Sequence, residues 1–169
     1  MFWEQGGGDE QTGGSAFFEN NPFEAVRERS DLNGLQKIRL LLKLNQADAE
    51  RDVLSRQALP ILKDPHILMA EIEENRRILT PLWLELLEEG KRDGSIRTEY
   101  EKELSELLPL INFWFMPAVF PASEEELRHK YRFVMEALAS MGLPLADDGL
   151  RSFTENLIAE IAEKREDKP

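Results

Sequence analysis

Apolar residues recur along most of this chain at the spacing of amphipathic helices, and no segment alternates as a half-buried strand would. The clearest run begins after Pro65. Leu68, Met69 and Ile72 open it, and Leu79, Leu82, Trp83, Leu86 and Leu87 continue it on one helical face. Lys91 and Arg92 fall in the last turn, where cations complement the helix dipole, and Gly94 supplies a left-handed stop. Uninterrupted, this helix would be about 40 Å long at about 1.5 Å per residue. Pro81 lacks an amide hydrogen and its ring crowds the carbonyl four residues back, so a kink or a break into two helices is expected there.

The remaining segments read the same way. Residues 1–21 are rich in Gly, Glu, Gln and Asn without a period and read as a flexible leader, with Phe17 and Phe18 as candidates to pin its end to the body. Pro22 suits a first helical position, and Phe23 to Arg29 form a short helix. Asp31 and Asn33 are candidate caps for a helix whose buried face carries Leu35, Ile38, Leu41 and Leu42. A further helix is expected from about Ala47, burying Val53, Leu54 and Ala58 and ending near Pro60 and Asp64-Pro65. Thr98 with Glu101, and Ser123 with Glu126, have capping-box spacing. The first opens a helix bearing Leu104, Leu107, Leu108, Ile111 and Phe115, and the second one bearing Leu127, Tyr131, Val134, Leu138 and Met141. Gly142 and Pro144 end the second. A last helix from about Asp148 buries Leu150, Phe153, Leu157, Ile158 and Ile161, and residues 166–169 form a charged tail. The fold class is all-α, with about seven helices and one helical domain over residues 22–165.

Composition narrows the function. At 169 residues, 41% hydrophobic and 32% charged, the chain suits one globular domain with a real core. A net charge of −12 repels phosphate backbones and argues against direct DNA contact. The absence of cysteine excludes disulfides, thiolate metal sites and cysteine nucleophiles, and fits a cytoplasmic protein. The longest apolar stretch, Leu107 to Phe120, is interrupted by Pro109, Asn112 and Pro117 and falls short of the ~20 residues that span a bilayer, so no membrane partner is expected.

The catalytic inventory is thin. His66 and His129 are the two histidines, neither in a ligand-spaced cluster, so no metal and no cofactor is expected. Gly6-Gly7-Gly8 follows no strand, and no serine sits in a nucleophile elbow. The chain reads as a regulatory domain and not an enzyme.

The aromatic and apolar clusters are more informative. Leu107 to Phe120 is apolar almost all round its helix, which requires cover on two or three sides. Tyr131, Val134, Leu138 and Met141 form the main stripe of the next helix, and Phe133, Ala137 and Ser140 a second face. A homodimer interface built from Leu108, Ile111, Phe115, Tyr131, Val134, Leu138 and Met141 is therefore expected, with a monomer core as the alternative. Met69, Trp83, Phe113 and Trp114 are candidates to line an apolar ligand pocket, with Asn112, Asn75 or Glu85 as its polar hook. Ordinary core packing is the alternative for each.

Taken in order, these residues resemble a known family. The run from Ile78 through Pro81-Leu82 and Glu89-Gly90 to Gly94 and Ile96, followed by Thr98-Glu99-Tyr100, is similar to the C-terminal domain of TetR/AcrR-type transcriptional regulators. Leu107, Leu108, Asn112, Trp114 and Pro117 resemble that family's first dimer helix, and Ser123 through Leu145 its second. Asp31 to Ile38 resembles the entry into its effector domain. The resemblance covers roughly residues 30–150. It implies a four-helix dimer seam and a small apolar effector enclosed by the helices between residues 35 and 120. The family's N-terminal helix-turn-helix headpiece has no counterpart in this sequence beyond Gly14 to Phe18. DNA would then be reached only through a missing headpiece or a complete partner. The alternative is an inactive truncated remnant, or a stand-alone domain that heterodimerises with a complete regulator.

Overall fold

The computed structural model describes residues 22–51, 64–115 and 119–166, and among these there is no strand. The expected leader, residues 167–169 of the charged tail, and residues Val53, Leu54 and Ala58 lie outside them. The elements are α1 (Pro22–Arg27), α2 (Gly34–Arg51), α3 (Pro65–Glu74), a π-helical turn (Asn75–Leu79), α4 (Thr80–Asp93), α5 (Glu101–Phe115), α6 (Glu124–Ser140) and α7 (Asp148–Glu166). The chain is all-α, as its periodicity predicts.

Helix α4 is the central element and packs most extensively on α2 and α5. Its buried stripe, Trp83, Leu86 and Leu87, meets Ile38 and Leu41 of α2, Leu104 and Leu108 of α5, and Val134 and Leu138 of α6 in one core. Phe23 of α1 closes this core edge-on against Trp83, with ring centroids 5.1 Å apart at 86°. A smaller cluster of Ala122, Leu127 and Ile158, with Phe115 against it, fills the seam between α6 and α7.

The interruption expected at Pro81 takes the form of the π-helical turn just before it. The Thr80 amide donates to the Asn75 carbonyl five residues back, and Pro81 then occupies the first turn of α4, where its missing hydrogen costs nothing. The helix therefore runs on to Gly94, whose φ of 81° makes the expected left-handed stop. Helix α2 is longer than its sequence suggests. No glycine or proline separates Lys43 from Ala47, and one helix continues through the expected new start at Ala47 to Arg51.

Capping is borne out in part. Ser123 and Glu126 form the reciprocal box, with Ser123 N–H donating to Glu126 Oε2 at 2.6 Å and Glu126 N–H to Ser123 Oγ at 3.2 Å. Asn33 caps α2 through Gln36 N–H at 2.9 Å, and Gln36 returns the bond to Asn33 N–H at 3.0 Å. Asp31 instead pairs with Arg29 at 2.6 Å, and that hydrogen bond lowers its carboxyl to about 2. The Thr98 box does not form. Thr98 is buried and its hydroxyl accepts from Tyr100 N–H at 3.1 Å, while Glu101 turns to Lys91 at 3.0 Å. The ion pair takes the carboxylate that a capping box would need.

One close approach locks these helices. A Cβ at Gly34 would overlap the backbone of Gly90, so the start of α2 and the end of α4 touch main chain to main chain. The orphan amides of α2 are satisfied there, Gly34 N–H by Asp93 Oδ2 at 2.7 Å and Leu35 N–H by Ser95 Oγ at 3.2 Å. Burial pushes the Asp93 carboxyl up, but hydrogen bonds from Ser95 and Gly34 outweigh it and hold it below its ordinary value. A group held low contributes stability that is present at neutral pH and is lost as pH falls through its folded-state value. Asp93→Asn is therefore expected to lower the urea midpoint at neutral pH. Its cost should shrink as the pH falls below the ordinary carboxylate range. A cost independent of pH would mean that the Asp93 charge plays no part in this lock.

Candidate functional site

The residues expected to line a pocket are dispersed. Trp83 is sealed in the core against Phe23, Met69 is 61% exposed on α3, and Asn112 is exposed on α5. Phe113 and Trp114 are half-buried near the end of α5. Glu85 is exposed and pairs with Arg27 at 3.6 Å. Two concavities among the described residues are open surface grooves. The first, about 550 Å³, is lined largely by polar groups including Asp31, Asn33, Gln36 and Arg92. His66 and His129 are both exposed, and no group of three or more His, Asp or Glu among the described residues could hold a metal ion.

Four of the expected interface residues, Leu108, Tyr131, Val134 and Leu138, are buried within the single chain. Ile111, Phe115 and Met141 are partly buried against the same core. The physical reason lies in the neighbours: α4 covers one side of α5, and α7 covers the Tyr131 side of α6.

What remains exposed is a different face of the same two helices. Leu107, Leu110 and Phe133 are 40%, 45% and 63% exposed. Leu107, Leu110 and Trp114 follow one another at i, i+3 and i+7 and so share a stripe of α5. Trp114 meets Phe133 of α6 edge-on, with centroids 6.0 Å apart at 81°. Lys130 fastens the two helices together. Its ammonium donates to the Trp114 carbonyl at 3.2 Å and lies 5.3 Å from the Trp114 ring and 5.7 Å from that of Phe120, itself 48% exposed. Phe133 belongs to the second face legible in the sequence of α6. The signal for Leu107 and Leu110 was weaker, because α5 is apolar almost all round.

Charge on this face is mixed, with Glu103 and Glu106 of α5 and Glu125 and Glu136 of α6 exposed beside the cations. Arg128, His129, Lys130 and Arg132 fall within five residues of α6 in a chain of net charge −12. Arg128 is neutralised by Glu124 and Glu155. His129 and Arg132 are exposed and have no ion-pair partner among the described residues. The outcome is an exposed aromatic and aliphatic patch edged by charges of both signs.

No helix among the described residues is long and apolar enough to cross a membrane. Compared with models of protein families, with characterised proteins and with solved structures, the chain finds no match.

Proposed function

We propose that this chain is a self-associating regulatory domain of the TetR type, acting as a homodimer with α5 and α6 turned towards the partner. The observation that carries this reading is the exposed patch of Leu107, Leu110, Trp114 and Phe133. Contiguous exposed apolar surface marks interaction sites, and aromatic side chains supply most of the energy at such sites. The seam is rotated around both helices from the one that the stripe pattern suggests, since the main stripes are occupied by the chain's own core. DNA would be reached through a headpiece or a partner, because the acidic surface is unsuited to phosphate. The apolar effector implied by the family resemblance finds no assembled lining among the described residues.

Light scattering tests it. The expected mass is twice the 19.5 kDa of one chain. Phe133→Asp should reduce it to a single chain without loss of helical signal, because Phe133 is 63% exposed and its replacement leaves the core intact. A wild-type chain that stays monomeric at high concentration, or a Phe133→Asp variant that stays dimeric, would sink the reading.

A further inference from the structure

The end of α5 and the turn before α6 hold a cation between two aromatic rings. The Lys130 ammonium lies 5.3 Å from the centroid of Trp114 and 5.7 Å from that of Phe120. Both distances are within the ~6 Å over which a ring face attracts a cation. The two rings therefore converge on one point, although they belong to different segments. Phe133 meets the Trp114 ring edge-on at 6.0 Å and steadies that wall. We propose that Trp114 and Phe120 form a binding slot for a small quaternary ammonium compound, and that Lys130 occupies it as a displaceable stand-in.

Electrostatics favour a cation at this point whether or not Lys130 supplies it. Trp114 lies in the last turn of α5, where unpaired carbonyls carry partial negative charge, and that turn has no basic residue of its own. Glu126 stands one turn before Lys130 on α6, and Glu103, Glu106, Glu125 and Glu136 are exposed on the same two helices. A chain of net charge −12 also draws cations towards its surface.

The chemistry of the slot selects the class of cation. A primary ammonium is compact and strongly hydrated, and Lys130 meets part of its demand by donating to the Trp114 carbonyl at 3.2 Å. A quaternary ammonium has no N–H to satisfy and spreads its charge over methyl groups that pack against ring faces. It gives up less hydration for the same ring contact. Phe120 is 48% exposed and Lys130 is half-buried on a flexible stem, so the slot opens to solvent and its occupant can leave. The slot adjoins Phe133, which the self-association proposed above also uses, but it does not rest on that reading.

The test compares choline with its neutral carbon isostere, 3,3-dimethylbutan-1-ol, each titrated into the isotope-enriched full chain. Choline is expected to shift the Trp114 indole and the Phe120 and Lys130 amides, and the isostere to bind at least about tenfold more weakly. Lys130→Met removes the stand-in and keeps its stem, so it should bind choline about tenfold more tightly than wild type. Lys102→Met makes the same change of net charge in the first turn of α5 and should leave the affinity unchanged. Phe120→Ser, at an exposed wall, should weaken binding several-fold. Equal affinity for choline and the isostere overturns the proposal, because the site would then recognise only apolar bulk. So do shifts centred elsewhere, an affinity that Lys130→Met does not raise, or one that Lys102→Met raises as much. Binding to phosphatidylcholine vesicles without binding to free choline overturns it too, and would assign the face to a membrane surface. Light scattering on the same samples reads the mass separately. A dimer that ignores choline leaves the self-association standing alone, and a monomer that binds choline leaves only the slot.

Discussion

Gly34→Ala is expected to lower the stability of this protein by about 3 kcal/mol, the upper range for forcing extra volume into a packed contact. The added methyl would overlap the Gly90 amide nitrogen and Cα, which are main-chain atoms that cannot rotate away. Relief requires α2 and α4 to separate, which would lengthen the Gly34–Asp93 and Leu35–Ser95 hydrogen bonds and loosen the core beneath them. Gly90→Ala should cost less. Its methyl would strike the side chain of Ile96, which is buried but jointed, and alanine recovers about 1 kcal/mol of helix propensity. Gly94→Ala should cost about 1 kcal/mol, because nothing lies near its Cβ and only the left-handed backbone opposes the change. In a domain of this length about 1 kcal/mol moves the thermal midpoint by about 2–4 °C. The three melting curves should therefore fall in the order Gly94, Gly90, Gly34, the last about 6–12 °C below wild type. If Gly94→Ala proved the most damaging, backbone conformation and not the helix crossing would be the tighter constraint.

The contrast between these glycines also marks what the sequence makes legible. Gly94 could be read as a helix stop from its place after Lys91 and Arg92, because a C-terminal signal is local. Nothing local reveals that Gly34 and Gly90, 56 positions apart, touch one another. The same division runs through the caps. Ser123 and Glu126 form their box, whereas Glu101 is drawn to Lys91, a residue on the previous helix that spacing alone cannot place beside it. The all-α class follows from periodicity, which each helix carries within itself. The candidate interface does not. The apolar run of α5 implies that it is covered on several sides, but which side belongs to α4 and which is left open depends on packing. Tyr131 and Phe133, two positions apart in sequence, end at 8% and 63% exposure for that reason. Pro81 lies between these cases: it forecasts an irregularity, and the π-helical turn upstream is how the helix absorbs it.

A second large effect is expected at Lys37, a residue that a reading of amphipathic faces would leave on the surface. Its side chain is only 5% exposed. The ammonium donates to the Arg27 carbonyl at 2.9 Å and to Glu89 Oε1 at 2.7 Å, joining the end of α1, the first turns of α2 and the end of α4. Glu89 is less enclosed, at 29% exposed. That asymmetry determines the outcome of removing each partner. Glu89→Gln leaves a buried ammonium without its counter-charge and should cost about 3 kcal/mol, at the lower end for breaking a buried pair because some water reaches the site. Lys37→Met removes the buried charge and keeps the apolar stem. The carboxylate left behind can hydrate through its exposed side, so this change should cost no more than about 1 kcal/mol. The double variant should then be more stable than Glu89→Gln alone, since methionine relieves the stranded charge that glutamine creates. Urea denaturation of the four chains measures the cycle. Equal losses for the two single variants would mean that the pair acts as an exposed salt bridge. A larger loss for Lys37→Met would locate the stabilisation in the hydrogen bond to Arg27 and not in the ion pair.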